Sequence, residues 1–362
     1  MANKSCTFIG IFSCLFFLQG SVSFTAAQDD PLRLRVNVVL VELNVAVTDS
    51  KGNYVTGLRP QDFSIIEDKL PQKISTFEES TSSVNSSMGA TRREQNPLSK
   101  GDKSPEAASP EATPDPPGVT ISHFAEANVF VLFDTSNYMY RGFVFAQDAI
   151  ADFIRSMDDS SKVAFYSYSR NLSRATTLSS DHFRSVSGLR NTVAGDDAAL
   201  YNSLLLTVKD AATLRGRKAI VVFSNGPDNA SSVPPEDVAE LAQSTGTIIY
   251  IISTRQAQED PISAAAFERV SKVSGGKAYF AKNWRQEKQA FGAIREDLVH
   301  LYTLSYYPQP NPNRGWRSIK VKLVGKGLQK YHIRTRDGYR LLPATAISTE
   351  DNLGSRLASD PK

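Results

Sequence analysis

The chain has 362 residues, 41% hydrophobic and 22% charged, which is ordinary globular usage and long enough for two domains with linkers. Its net charge of +3 gives no general pull toward nucleic acid or anionic membrane, so neither is expected as a partner. Four well-separated histidines (His123, His182, His300 and His332) argue against a histidine-rich zinc site. The two cysteines, Cys6 and Cys14, both lie near the N-terminus.

Lys4, the apolar run over 8–18 and the small residues Thr25-Ala26-Ala27 read as a secretory signal over 1–27, directing the chain to the periplasm, envelope or exterior. This apolar-and-small run of eleven residues is too short to span a hydrocarbon core of ~30 Å, so an uncleaved anchor is the weaker alternative and no span is expected in the mature chain. Cleavage near Ala27 removes both cysteines, and with them any thiol nucleophile, thiolate ligand or disulfide.

Residues 31–79 form an N-terminal β segment. Leu34, Val36, Val38 and Leu40 alternate with polar residues, then Val41, Leu43, Val45 and Val47 do so in the opposite phase, which predicts a bulge near Val39. Residues 50–53 read as a turn, and 62–68 and 73–79 as short strands. Residues 80–120 hold six prolines and eight serines with no aromatic up to 119, the composition of a flexible linker.

Strand and helix patterns alternate over 124–300. Strands are expected at 128–134, 163–169, 218–225, 247–254 and 277–282, and helices at 143–157, 200–214, 235–245, 262–275 and 285–302. Such repeats require a mainly parallel sheet with helices on both faces. Period-two patterning returns over 301–342, with strands at 302–309, 318–327 and 330–336 and a hairpin expected around Gly325-Lys326-Gly327. A flexible tail over 343–362 follows. The fold class is α/β, a Rossmann-like doubly wound sheet. A small flanking β-sheet or sandwich is built from the N- and C-terminal segments, because each leaves an incomplete apolar face.

Ligands of open parallel sheets bind at the carboxyl ends of the strands, where the loops 134–142, 194–202 and 224–232 meet. The strand ending in Asp134-Thr135-Ser136, the helix start ALYNSL and the run IVVFSNGPDN resemble the von Willebrand factor A family over roughly 128–298. The flanks VAVTDSKGNYVTGLRPQDFSIIED and RTRDGYR are similar to secreted, acidobacterial-type relatives of that family. The resemblance implies a divalent cation, often Mg²⁺, held by a D-x-S-x-S loop, a threonine and a second aspartate. Here Asp134 and Ser136 remain, while Tyr138, Ala198 and Asn225 stand at the other three positions. The expectation is a degenerate site and no cofactor, with Asp197 and Asp228 as substitute ligands should Mg²⁺ bind after all.

Tyr138, Tyr140 and Arg141 are residue types enriched at the energetic centres of interfaces, which marks the loop as a surface for a protein partner. The bland reading has Tyr138 filling the emptied pocket. No G-x-S-x-G, Walker or G-x-G-x-x-G motif accompanies the strand-to-helix turns, so no enzyme is expected. The basic stretch 316–336 reads as the solvated face of a strand. Together these readings favour an exported, non-enzymatic protein-binding module. The alternatives are a Mg²⁺-dependent adhesion protein and an envelope structural or assembly factor.

Overall fold

A computed structural model of the chain describes residues 40–80, 127–254 and 259–341, apart from the Arg141 side chain. The expected signal, the bulge near Val39, nearly all of the linker and the tail lie outside the described residues.

The central sheet has the order β10-β9-β8-β5-β6-β7. Its strands are β5 (Ala127–Asp134), β6 (Lys162–Tyr168), β7 (Leu172–Ser173), β8 (Arg217–Ser224), β9 (Thr247–Ser253) and β10 (Ala278–Phe280), all parallel except β7. Successive side chains point to opposite faces, so each strand feeds two cores. Val129, Val131 and Phe133 of β5 pack with α1 (Phe143–Ser156), α2 (His182–Arg190) and α6 (Trp284–Val299). Phe130 and Leu132 pack with α3 (Leu200–Ala212), α4 (Pro235–Thr245) and α5 (Pro261–Ser274). This is the doubly wound arrangement that the βα alternation demands. Helix α5 stops where Gly275 takes φ 90°, and a Cβ on Gly276 would strike the Ile249 carbonyl.

The flanking segments build two antiparallel four-stranded sheets. One has the order β13-β1-β11-β4, from β1 (Val41–Thr48), β4 (Ile74–Glu79), β11 (Tyr302–Tyr306) and β13 (His332–Arg334). The other has the order β14-β12-β2-β3, from β2 (Phe63–Glu67), β3 (Leu70–Gln72), β12 (Trp316–Leu323) and β14 (Gly338–Arg340). Val41, Leu43, Val45 and Val47 of β1 share a core with Phe63, Ile65, Ile319, Val321 and Leu323 of the second sheet, which makes a sandwich. Ala46 of the same strand faces the α/β core, so β1 is buried on two sides.

Two expectations change. Residues 318–334 are not a hairpin, because β12 and β13 belong to different sheets. Gly327 turns left-handed at φ 83°, and a short 3₁₀ turn at Leu328–Lys330 carries the chain across. Helix α2 was not expected. It buries only Ser185, Val186 and Leu189, too few apolar residues to mark a helical stripe, and Asp181 caps it by accepting from the Phe183 N–H. β12 does alternate between exposed and buried positions, with Lys320 and Lys322 on its solvated face.

Candidate functional site

Strands β5, β6, β8 and β9 end together, and their register sets Asp134 beside Tyr168. The Asp134 carboxylate is buried, with 1% exposure. One oxygen accepts from the Ser136 backbone N–H at 2.9 Å and the other from the Ser224 hydroxyl at 2.8 Å. Tyr168 donates its phenol to Ser224 at 3.0 Å, completing a chain of three side chains. Burial pushes the Asp134 pKa up against the pull of these donors. Burial, with the neighbouring Asp134 charge, raises the Tyr168 phenol further. The Ser136 hydroxyl lies near the carboxylate but outside hydrogen-bonding geometry.

Two of the three replaced positions, Asn225 and Tyr138, bond to each other. The Asn225 amide donates to the Tyr138 carbonyl, and its oxygen accepts from the Thr254 hydroxyl. Ala198 is buried. Its N–H donates to the Asn229 side chain at 2.8 Å, and its carbonyl takes the Asn229 and Ala230 N–H groups. Tyr138 is half-buried against the core under α3.

Asp228 accepts from the Tyr201 N–H at 3.0 Å, the Ser231 N–H at 2.8 Å and the Ser231 hydroxyl at 2.6 Å, so it ties the β8 loop to the first turn of α3. Asp197 faces Arg170 at 3.4 Å and Asn229 at 3.4 Å. Neither bonds to Asp134, and no group of three His, Cys, Asp or Glu residues able to hold a metal occurs among the described residues.

Tyr140 stands out at 78% exposed, with Val144 and Phe145 exposed on the next turn. Arg141 belongs to the same 3₁₀ segment, Asn137–Gly142, but its side chain lies outside what the structure describes. Tyr168, Ser224 and Thr254 were missed by sequence reasoning. Their signal was register: each lies at or just past the end of a core strand, on a level with Asp134 or Asn225.

Residues 128–293 match the family model of the von Willebrand factor type A domain, and the α/β layer is a domain of that family. The match leaves the sandwich strands outside it. Among solved structures the chain is similar to the conserved hypothetical protein BatB of Bacteroides thetaiotaomicron, at 15% identity and TM-score 0.40, covering 48% of this chain and 97% of that one. It is also similar to a von Willebrand factor type A protein of Catenulispora acidiphila, at 11% identity and TM-score 0.42, covering 62% and 68%. The vWF domain of the type V pili tip protein Mfa5 from Porphyromonas gingivalis matches at 11% identity and TM-score 0.40, covering 47% and 94%. These likenesses carry no role over to this chain. No curated protein matches it.

Proposed function

We propose that the carboxyl edge of this type A domain is a protein-binding surface that works without a divalent cation, in an exported protein with no catalytic activity. The observation that carries the reading is Asn225, which stands where the resemblance places a second aspartate and uses both ends of its amide on Tyr138 and Thr254. Asp134 is then the one carboxylate of the usual ligand set, and both its oxygens already accept hydrogen bonds. Asp197 and Asp228 are engaged by Arg170 and by backbone donors. A hard cation wants several free oxygen ligands, and these residues do not fit one. The exposed Tyr140, Val144 and Phe145 supply the contact chemistry instead. Export rests on the signal pattern of residues 1–27. Among the described residues no helix is long and apolar enough to cross a membrane.

A ligand binding only the folded state stabilises it by about 2.7 kcal/mol at a hundredfold excess over Kd. Melting in millimolar Mg²⁺, Ca²⁺ or Mn²⁺ is expected to match melting in EDTA. A clear cation-dependent rise that Asp134→Ala abolishes would overturn the reading.

A further inference from the structure

Beside the Tyr140 loop, between the start of α1 and the start of α6, lies a cavity of about 210 Å³ lined by Met139, Phe145, Phe223, Thr254, Trp284 and Glu287 among others. Phe145 is 65% exposed and Trp284 56%, an unusual exposure for two large aromatic side chains that share one pocket. Glu287 brings a half-buried carboxylate to this apolar lining, and among the described residues no side chain or backbone group bonds to that carboxylate. Neither of the cations nearest in sequence pairs with that carboxylate. Lys288 reaches Asp152 at 3.2 Å, and Arg285, which does not line the pocket, holds its guanidinium 5.1 Å from the Trp284 ring centroid.

The geometry points to a docking pocket for one basic side chain of a protein partner. The aliphatic stem would lie against Phe145 and Trp284, and the charged head would reach Glu287. This deepens the reading of the carboxyl edge as protein-binding and rests on it. The volume suits a single long side chain rather than a folded surface. Lysine and arginine carry the required chemistry, an apolar stem with a cationic head. Aromatic walls favour a cation, and a carboxylate short of donors is costly until one arrives. Burial pushes the Glu287 pKa up, and no charge among the described residues offsets it. An acidic partner residue, by contrast, would meet like charge.

The chain has two tryptophans, Trp284 in the pocket and Trp316 on β12 of the sandwich. Full-length protein labelled with 5-fluorotryptophan therefore reports the pocket and an internal control in one ¹⁹F spectrum. The probes are N-acetyl-Gly-Lys-Gly-amide and its norleucine and glutamate counterparts. The lysine peptide is expected to shift the Trp284 resonance saturably and leave Trp316 still, binding about tenfold more tightly than the norleucine peptide, the equivalent of one charge-assisted hydrogen bond. Glu287→Gln should bring the lysine peptide down to the norleucine level without altering the norleucine peptide. No shift of Trp284, equal binding of lysine and norleucine, stronger binding of the glutamate peptide, or an unchanged lysine affinity in Glu287→Gln would each overturn the proposal. Any of these failures would leave the cation-free edge standing, since that reading is tested by melting and not by these peptides.

Discussion

Asp297 and Arg334 meet across the seam between the type A domain and the sandwich: the Arg334 guanidinium donates to both oxygens of a carboxylate that has no exposed surface. Asp297 comes from α6 and Arg334 from β13, two phenols donate to the same carboxylate, and the Lys277 ammonium stands 3.9 Å from it. Tyr54 donates at 2.6 Å from the loop after β1, and Tyr250 at 2.7 Å from β9. Four elements from both layers thus share one buried charge. Burial together with the Asp297 charge raises the pKa of both phenols, so they stay neutral donors through any physiological pH.

Removing one partner of such a pair strands the other charge. Arg334→Met is expected to cost about 3–5 kcal/mol in urea denaturation, whereas Tyr54→Phe, which removes one donor of several, should cost about 1–2 kcal/mol. The double variant Asp297→Asn with Arg334→Met should recover part of the single-variant loss. Strict additivity of the two would argue against coupling through the seam.

Asp134→Asn tests the strand-end chain directly. Burial raises the folded-state pKa of Asp134 above its ordinary value of 3.8, so its contribution to stability is full below that value and is lost as pH rises through the folded pKa. The amide variant has no such titration. Its melting temperature at pH 7 should stay within a few degrees of the parent, and stability should fall less steeply between pH 4 and pH 7. A collapse of the fold at pH 7 would show that the ionised carboxylate is required.

Strands β2 and β3 are joined by Asp68 and Lys69 alone, both at positive φ (45° and 70°), the two-residue hairpin geometry that favours glycine. Lys69→Gly is expected to stabilise the protein by about 0.5–1 kcal/mol, since relief of left-handed strain outweighs the added freedom of the unfolded chain. Lys69→Val should destabilise it. Equal melting curves for the three would refute the strain argument.

Asp68 in that turn is held at a pKa of about 2. Its limited burial works against this, and is outweighed by hydrogen bonds from Asn313, the Ser318 N–H and Asn311. A lowered folded pKa means that its stabilisation is complete above the ordinary value of 3.8 and fades as pH falls toward 2. An NMR titration of the Asp68 carboxyl carbon should place its midpoint well below those of exposed aspartates, and Asn313→Ala should move it upward.

Much of this fold was legible because periodicity is local. The second phase of β1 is visible in Val41, Leu43, Val45 and Val47, and all four are buried in the sandwich; the burial of Ala46 on the other face was not visible. The strand ends that meet at Asp134 were equally plain. What sequence could not supply was which strands share a sheet. The lysine-rich strand β12 and its successor β13 were paired by proximity, yet β12 lies against β2 and β13 against β1. The same limit applied at the site. Asp134, Tyr138, Ala198 and Asn225 were identifiable from the motif. The Tyr168–Ser224–Asp134 chain and the Thr254 hydroxyl on Asn225 arise from neighbours in register, whose sequence separations carry no pattern.

The sandwich closes over long stretches of chain, and Glu67 bonds to Tyr339 across 272 residues. Strands β1 to β4 leave the ribosome first, but β11, β12 and β13, on which β1, β2 and β4 pair, emerge only after the whole type A domain. Order of synthesis therefore opposes order of pairing: the earliest strands wait with bare edges while the α/β layer, whose contacts are nearer in sequence, can fold ahead of them. A chain cut short before residue 302 would keep every strand of the parallel sheet, yet leave β1 and β4 without their mates and β2 with β3 alone.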